Sequence, residues 1–128
     1  NHIIRAAEES IAYQSADLVA AMEKDTGVPI TSLKVDGGAS ANNYLMQAQA
    51  DLTGAPVLRP RCVETTAMGA SYLAGLAVGI WSSPREVARN WSVDRTFQPE
   101  LEPEERDRRL TGWHRAVSCS RGWAREEA

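Results

Sequence analysis

Residues 33–43 read LKVDGGASANN, and this stretch decides the fold. Leu33 and Val35 alternate with polar neighbours, which predicts a short strand. The strand runs directly into Gly37 and Gly38, where a backbone without Cβ atoms can turn sharply. A strand, a glycine turn and a helix in succession are typical of α/β proteins.

The helix after this turn is predicted to begin at about residue 41. Ser40 can cap it, and Gly54 should stop it after residue 53. Its predicted inward side chains are Leu45, Ala48 and Leu52. The positive end of this helix then lies beside the glycine turn.

A long amphipathic helix is predicted before the strand. Apolar residues recur at spacings of three or four, and the helix should end near Gly27 and Pro29. The face consists of Ile4, Ala7, Ile11, Leu18 and Met22. Because the chain lacks a Met at position 1 and starts at once in this pattern, we expect it to begin inside a longer protein.

The segment from residue 65 to residue 84 carries no charged side chain. It follows a predicted short strand at Val57 and Leu58. Gly75 and Gly79 match the GxxxG spacing of membrane helix pairs. Small, moderately apolar residues instead favour a central helix buried in a soluble core.

The last third of the chain carries most of the charge and is predicted to form a peripheral layer. Ser83 and Pro84 indicate the start of a short helix that runs to about Asn90. Alternation over residues 93–97 predicts an edge strand. Helical spacing from Pro103 onward predicts a closing amphipathic helix that ends near residue 122.

Composition excludes several function classes. The chain has 128 residues, a net charge of −3 and 43% hydrophobic residues, so it fits one globular domain without a basic footprint for nucleic acid. Cys62 and Cys119 lie far apart, which argues against a zinc site and suits a reducing cytoplasm. His2 and His114 lack metal-ligand spacing. We therefore predict no metal site in this chain.

The glycine turn is the best candidate for a binding site. At Gly37 and Gly38 a ligand can approach the backbone closely, and the helix that follows offers free N–H groups to an anion. A phosphate site is one interpretation, and a simple connector between strand and helix is the other. Asp36 is expected to order the turn through its side chain.

Residues 33–81 closely resemble the second signature region of the glycerol kinases, a group within the FGGY carbohydrate kinase family. The most specific segments are DGGASANN, QAQAD at residues 47–51, and ETTA at residues 64–67. Related sugar kinases share the glycine turn but usually lack the Asn42–Asn43 pair and the ETTA segment. In weaker form the resemblance extends over essentially the whole chain.

This resemblance implies an α/β fold, namely part of the second actin-like, ribonuclease H-like ATPase domain, helix-rich with a few strands. It implies an ATP-binding core over residues 1–83 and peripheral helices over residues 84–128. In the family the glycine turn holds ATP, a role that falls here on Gly37, Gly38 and Asn42.

The family reaction implied is phosphoryl transfer from Mg²⁺-ATP to glycerol in an intact enzyme, which we expect to be a homo-oligomer. The motifs that supply the catalytic base lie in earlier parts of the family sequence, so no catalytic residue is assigned here. Asp36 and Glu64 are not candidates for the base, and the chain alone is expected to be inactive. Another FGGY kinase or a non-catalytic helical interaction module are the alternatives.

Overall fold

The computed structural model describes residues 1–122 of the chain. It confirms every predicted helix and strand, and a short 3₁₀ helix, Gly38–Ala41, joins the first strand to the second helix. The elements are α1 (His2–Thr26), β1 (Leu33–Lys34), α2 (Asn43–Thr53), β2 (Val57–Pro60), α3 (Thr65–Ala77), α4 (Pro84–Ala88), β3 (Val93–Phe97) and α5 (Pro103–Gly122). Residues 123–128 of the predicted peripheral segment lie outside the described residues.

Three short strands form one sheet in the order β1-β2-β3. β1 and β2 are parallel, with Leu33 opposite Val57, and α2 provides the crossover that a parallel pair requires. β2 and β3 are antiparallel, with Val57 opposite Phe97 and a register shift between Arg59 and Pro60. β3 therefore lies at the edge of this sheet, as predicted.

The core lies where α1 and α2 pack on each other and on the sheet. α1 contributes small side chains, which let α2 approach closely, and α2 contributes larger ones. The buried residues of this core are Ala12, Ala16, Leu45, Met46, Ala50, Leu52, Val57 and Phe97. Of the predicted inward residues of α2, Leu45 and Leu52 are buried and Ala48 is half-buried.

The apolar stripe that predicts α1 is not the face that this helix buries. Ile4 is 65% exposed and Leu18 is 62% exposed, whereas Ala12 and Ala16 are buried. On a helical wheel the two faces are roughly 100° apart. Close packing against α2 selects the small-residue face, and the bulky stripe remains on the surface of the described chain.

The start of α2 differs from the prediction. Asn42, not Ser40, is the N-cap, and its side-chain oxygen accepts from the backbone N–H groups of Tyr44 and Leu45. Ser40 is buried one turn earlier, inside the 3₁₀ helix. An extra 3₁₀ turn between strand and helix moves the cap by two residues.

The prediction that α3 is buried is wrong for the described residues. Leu73 is 71% exposed, and Gly75 is the buried residue of this helix. The Trp81 ring lies so close to Gly75 that a Cβ there would come within 2.1 Å of it. Close contact with Trp81 thus accounts for the glycine at position 75. Within residues 1–122 no helix is both long and apolar enough to cross a membrane.

The C-terminal third contains α4, which begins with a cap, and α5, which packs on α1. The Ser83 hydroxyl accepts from the Glu86 N–H and caps α4, as predicted. The Trp113 ring of α5 stacks on Tyr13 with centroids 5.2 Å apart, and its Nε1 donates to Asp17 Oδ2 at 2.8 Å. Aromatic stacking and a hydrogen bond therefore hold α5 against α1.

Candidate functional site

The turn between β1 and α2 depends on the backbone of Gly37. Its φ of 76° and ψ of 171° lie in a region that is essentially restricted to glycine. Its N–H donates to the Val63 carbonyl at 2.8 Å, which ties the turn to the segment before α3. A side chain at position 37 would strain this backbone.

Ser40 closes the turn from inside. Its hydroxyl donates to the Gly37 carbonyl at 2.7 Å, and its N–H donates to the same oxygen at 3.1 Å. Since Ser40 is buried, both bonds are shielded from water. The Gly37 carbonyl is thereby held toward the protein.

Gly38 presents an open backbone surface. Within residues 1–122, the N–H groups of Gly38 and Ala39 donate to no acceptor, and a Cβ placed on Gly38 would meet nothing within 4 Å. Free N–H groups at a turn beside the start of a helix can donate to an anionic ligand. The geometry therefore offers two donors on an accessible surface.

Asn42, the third predicted contact, has both ends of its amide engaged. Its Oδ1 accepts from the N–H groups of Tyr44 at 3.0 Å and Leu45 at 3.2 Å, while its Nδ2 donates to Glu8 Oε1 at 2.9 Å. Its side chain thus caps α2 and joins α2 to α1. The two backbone N–H groups use both lone pairs of Oδ1, so a ligand could bond only to the second N–H of Nδ2.

We expect Asn42→Ala to lower the free energy of unfolding of the chain by about 1–2 kcal/mol, because it removes a helix cap. Asn42→Asp keeps an acceptor for the cap and loses the donor to Glu8, so it separates the two functions. Urea denaturation of the chain measures both variants. A loss below ~0.3 kcal/mol in Asn42→Ala would mean that the cap contributes nothing.

Asp36 joins the turn to α3. The Thr65 hydroxyl, at the first position of α3, donates to Asp36 Oδ2. Thr65 also lines a cavity of about 340 Å³ between β2, α3 and the segment before β3. The Asp36 side chain therefore connects the end of β1 to the start of α3 by a hydrogen bond.

Arg59 on β2 is the residue at this site that sequence reasoning missed. Its Nη1 donates to the Ser40 carbonyl at 3.1 Å and to Asn43 Oδ1 at 2.8 Å. Its Nη2 and Nε donate to Asp94 Oδ2 at 2.9 and 3.1 Å. Nothing in the local sequence marks it, since the contact exists only once β2 lies beside the turn.

Two glutamates of α1, Glu8 and Glu9, lie on the side of the turn near Asn42. Burial raises the pKa of Glu9, but hydrogen bonds from the Tyr44 hydroxyl and from Arg5 outweigh it, so the pKa lies below its ordinary value. Glu9 is therefore ionised at neutral pH, close to Glu8 on the same helix. Because Glu9 is paired with Arg5 at 2.8 Å, the carboxylate of Glu8 beside Asn42 is the charge that disfavours a phosphate group on this side.

The described residues contain no cluster of three or more His, Cys, Asp or Glu side chains that could hold a metal ion. His114 instead lies 2.7 Å from Asp17 Oδ1. The residues of the chain that the structure describes therefore do not form a metal centre by themselves.

The fold and the open glycine turn define this chain as part of an actin-like ATPase domain of the sugar-kinase type. Residues 1–78 match the FGGY family of carbohydrate kinases, C-terminal domain. The chain belongs to this family.

The similar proteins are four times as long as the chain. It is 59% identical to the glycerol kinase of Symbiobacterium thermophilum and 57% identical to that of Caldanaerobacter subterraneus, over 98% of this chain and 25% of each relative. The Plasmodium falciparum glycerol kinase, solved with ADP, superposes with a TM-score of 0.79 and 31% identity over 91% of this chain and 24% of that chain. The chain thus spans about a quarter of the length of its curated relatives.

One further solved structure shows the fold alone. The Lactobacillus acidophilus xylulose kinase superposes with a TM-score of 0.71 at 20% identity, over 98% of this chain and 25% of that chain. The actin-like fold expected from the sequence is confirmed by these structures, while the contacts predicted for Gly37, Gly38 and Asn42 stay predictions.

Proposed function

We propose that this chain is the nucleotide-binding part of a glycerol kinase, which transfers the γ-phosphoryl group of ATP to a primary hydroxyl of glycerol. The products are ADP and glycerol 3-phosphate, and the hydroxyl proton passes to a base. The observation that carries the proposal is an open glycine turn within a chain 55–59% identical to several glycerol kinases.

In this proposal the free N–H groups of Gly38 and Ala39 donate to oxygens of the α-phosphate. Their donation needs no reorganisation, because Ser40 and Gly37 already fix the turn. The Asn42 amide contacts the adenosine through the Nδ2 N–H that does not donate to Glu8. The chain therefore binds and orients the nucleotide.

The charges around the turn support one orientation of the bound nucleotide. The Glu8 carboxylate, which accepts from Asn42, favours an uncharged nucleoside over a phosphate on the Asn42 side. Gly38 lies toward the other side of the turn. We therefore propose that the adenosine lies near Asn42 and the phosphates lie beyond Gly38.

The remaining chemistry is assigned outside this chain. Mg²⁺ accompanies the ATP phosphates and neutralises their charge. The base and the glycerol contacts are expected in parts of the longer relatives that this chain does not span. We therefore propose that the isolated chain is inactive and that the complete enzyme is a cytoplasmic homo-oligomer.

A kinase of the same family that acts on another sugar or polyol is the second candidate. The solved xylulose kinase has the same fold as this chain, so the fold does not choose the substrate. The Asn42–Asn43 pair and the ETTA segment favour the glycerol kinases. A non-catalytic helical module, the third alternative, would not require the open turn at Gly38.

A chimera tests the proposal. This chain replaces the matching quarter of the Symbiobacterium thermophilum glycerol kinase, to which it is 59% identical. We expect the chimera to form glycerol 3-phosphate from ATP at a rate within about tenfold of the parent enzyme. A larger loss would correspond to a rise of more than about 1.4 kcal/mol in the activation free energy and would indicate an incompatible site. The measurement is a coupled assay of glycerol 3-phosphate.

Three controls complete the experiment. The host enzyme without its matching quarter and the isolated chain should both be inactive. A panel of polyols and sugars is assayed with the chimera. A folded chimera that makes no glycerol 3-phosphate would refute the proposed function.

A further inference from the structure

Arg59 bonds to the glycine turn on one side and to β3 on the other. Its side chain is only 14% exposed, and its bond to the Ser40 carbonyl is partly buried, whereas its other bonds lie at the surface. The acceptors on the turn side are the carbonyl groups of Ser40 and Ala41, at 3.1 and 3.4 Å, and the side chain of Asn43. Three acceptors converge on a single guanidinium nitrogen.

The acceptors on the turn side all belong to the end of the 3₁₀ helix and the start of α2. Carbonyl groups at the end of a helix have no partner within that helix and need donors from elsewhere. Arg59 supplies these donors from β2. It therefore fixes the position of the 3₁₀ helix, and with it Gly38, relative to the sheet.

Asp94 on β3 orients the guanidinium. Both Nε and Nη2 donate to its Oδ2, which leaves Nη1 aimed at the turn. The Asp94 side chain is about half exposed, so it contributes orientation more than ion-pair energy. β3 (Val93–Phe97) thus takes part in shaping a turn that lies far before it in the sequence, at Gly38–Ala41.

We propose that Arg59, oriented by Asp94 and anchored by Asn43, is a positioning residue for the nucleotide site. It acts through the turn and does not contact the nucleotide. Its planar fork spreads the donors over three nitrogens, so it reaches acceptors on β3 and on the turn that are too far apart for the single nitrogen of a lysine. This role deepens the proposed function and rests on it.

The first test measures the turn itself. Hydrogen–deuterium exchange of the peptide covering residues 36–44 is compared between the chimera and its Arg59→Met variant. We expect exchange roughly tenfold faster in the variant, the scale of one lost charged hydrogen bond. Arg95→Met is the matched control, because Arg95 lies over the Phe97 ring, 4.6 Å from its centroid, and donates to no atom of the turn.

The second test separates positioning from general structure. Arg59→Met should raise the KM for ATP roughly tenfold, while the KM for glycerol stays within about twofold. Arg59→Lys should recover less than half of the loss, and Asp94→Asn should show a smaller loss of the same kind. Thermal unfolding verifies that each variant is folded. If Arg59→Met does not fold, the comparison is made with Arg59→Lys instead.

The outcomes are distinct. Unchanged exchange in a folded Arg59 variant overturns the positioning role, whatever the activity. Faster exchange with an unchanged KM for ATP, or an equal rise in both KM values, overturns its link to the nucleotide. A chimera without kinase activity refutes the proposed function and the nucleotide link with it, while exchange still decides whether Arg59 holds the turn.

Discussion

Gly38→Val in the chimera should reduce kcat/KM for ATP by roughly 100-fold or more, because misplacing the nucleotide by about 1 Å costs that much. The branched side chain would occupy the space through which phosphate oxygens reach the N–H groups of Gly38 and Ala39. A coupled assay over a range of ATP concentrations measures the loss. Calorimetric titration with ADP measures binding separately.

The structure makes this substitution a clean probe of ligand binding. A Cβ at Gly38 meets nothing within 4 Å, and the φ of this residue is not in the left-handed region. The free energy of unfolding should therefore change by less than about 1 kcal/mol. Gly112→Val provides the matched control, since a Cβ there also meets nothing within 4 Å, and it should leave activity unchanged.

Gly37 would give a different result. Its φ of 76° is unfavourable for any side chain, so Gly37→Ala should strain the turn by about 1–3 kcal/mol and reduce activity and stability together.

Full activity of Gly38→Val would show that phosphate does not approach this backbone. A loss of stability equal to that of Gly37→Ala would show that position 38 is structural.

Local sequence signals predicted the elements and the turn. Alternation at Leu33 and Val35, the adjacent glycines, and helix stops at Gly27 and Gly54 depend on residues close in sequence, and the structure follows them. The capping pattern at Ser83 was equally local. Such signals are reliable because the interactions they describe form within one turn or strand.

Interactions between elements were not predictable in the same way. Which face α1 buries depends on the close approach of α2, which selects Ala12 and Ala16 over a stripe of larger residues. The sequence could not show that Arg59 contacts the turn, because this needs β2 in parallel register with β1. The cap moved from Ser40 to Asn42 because Ser40 bonds back to Gly37.

β3 belongs to the C-terminal third of the chain, yet one of its residues lies in the core. Residues 84–128 were predicted to be peripheral, yet Phe97 on β3 is 2% exposed and lies opposite the fully buried Val57. The guanidinium groups of Arg59 and Arg95 lie over the Phe97 ring, with their Cζ atoms 5.4 and 4.6 Å from its centroid. Its side chain therefore supports the strand that carries Arg59.

Phe97→Ala should lower the free energy of unfolding of the chain by about 3–5 kcal/mol, the cost of a large cavity in a core. Val93→Ala, on the same strand and at a position 37% exposed, should cost less than about 1 kcal/mol. If Phe97→Ala does not fold, Phe97→Leu gives a smaller loss that urea denaturation can measure. A loss below ~1 kcal/mol in Phe97→Ala would show that β3 is dispensable for the core and that the boundary at residue 83 divides core from periphery.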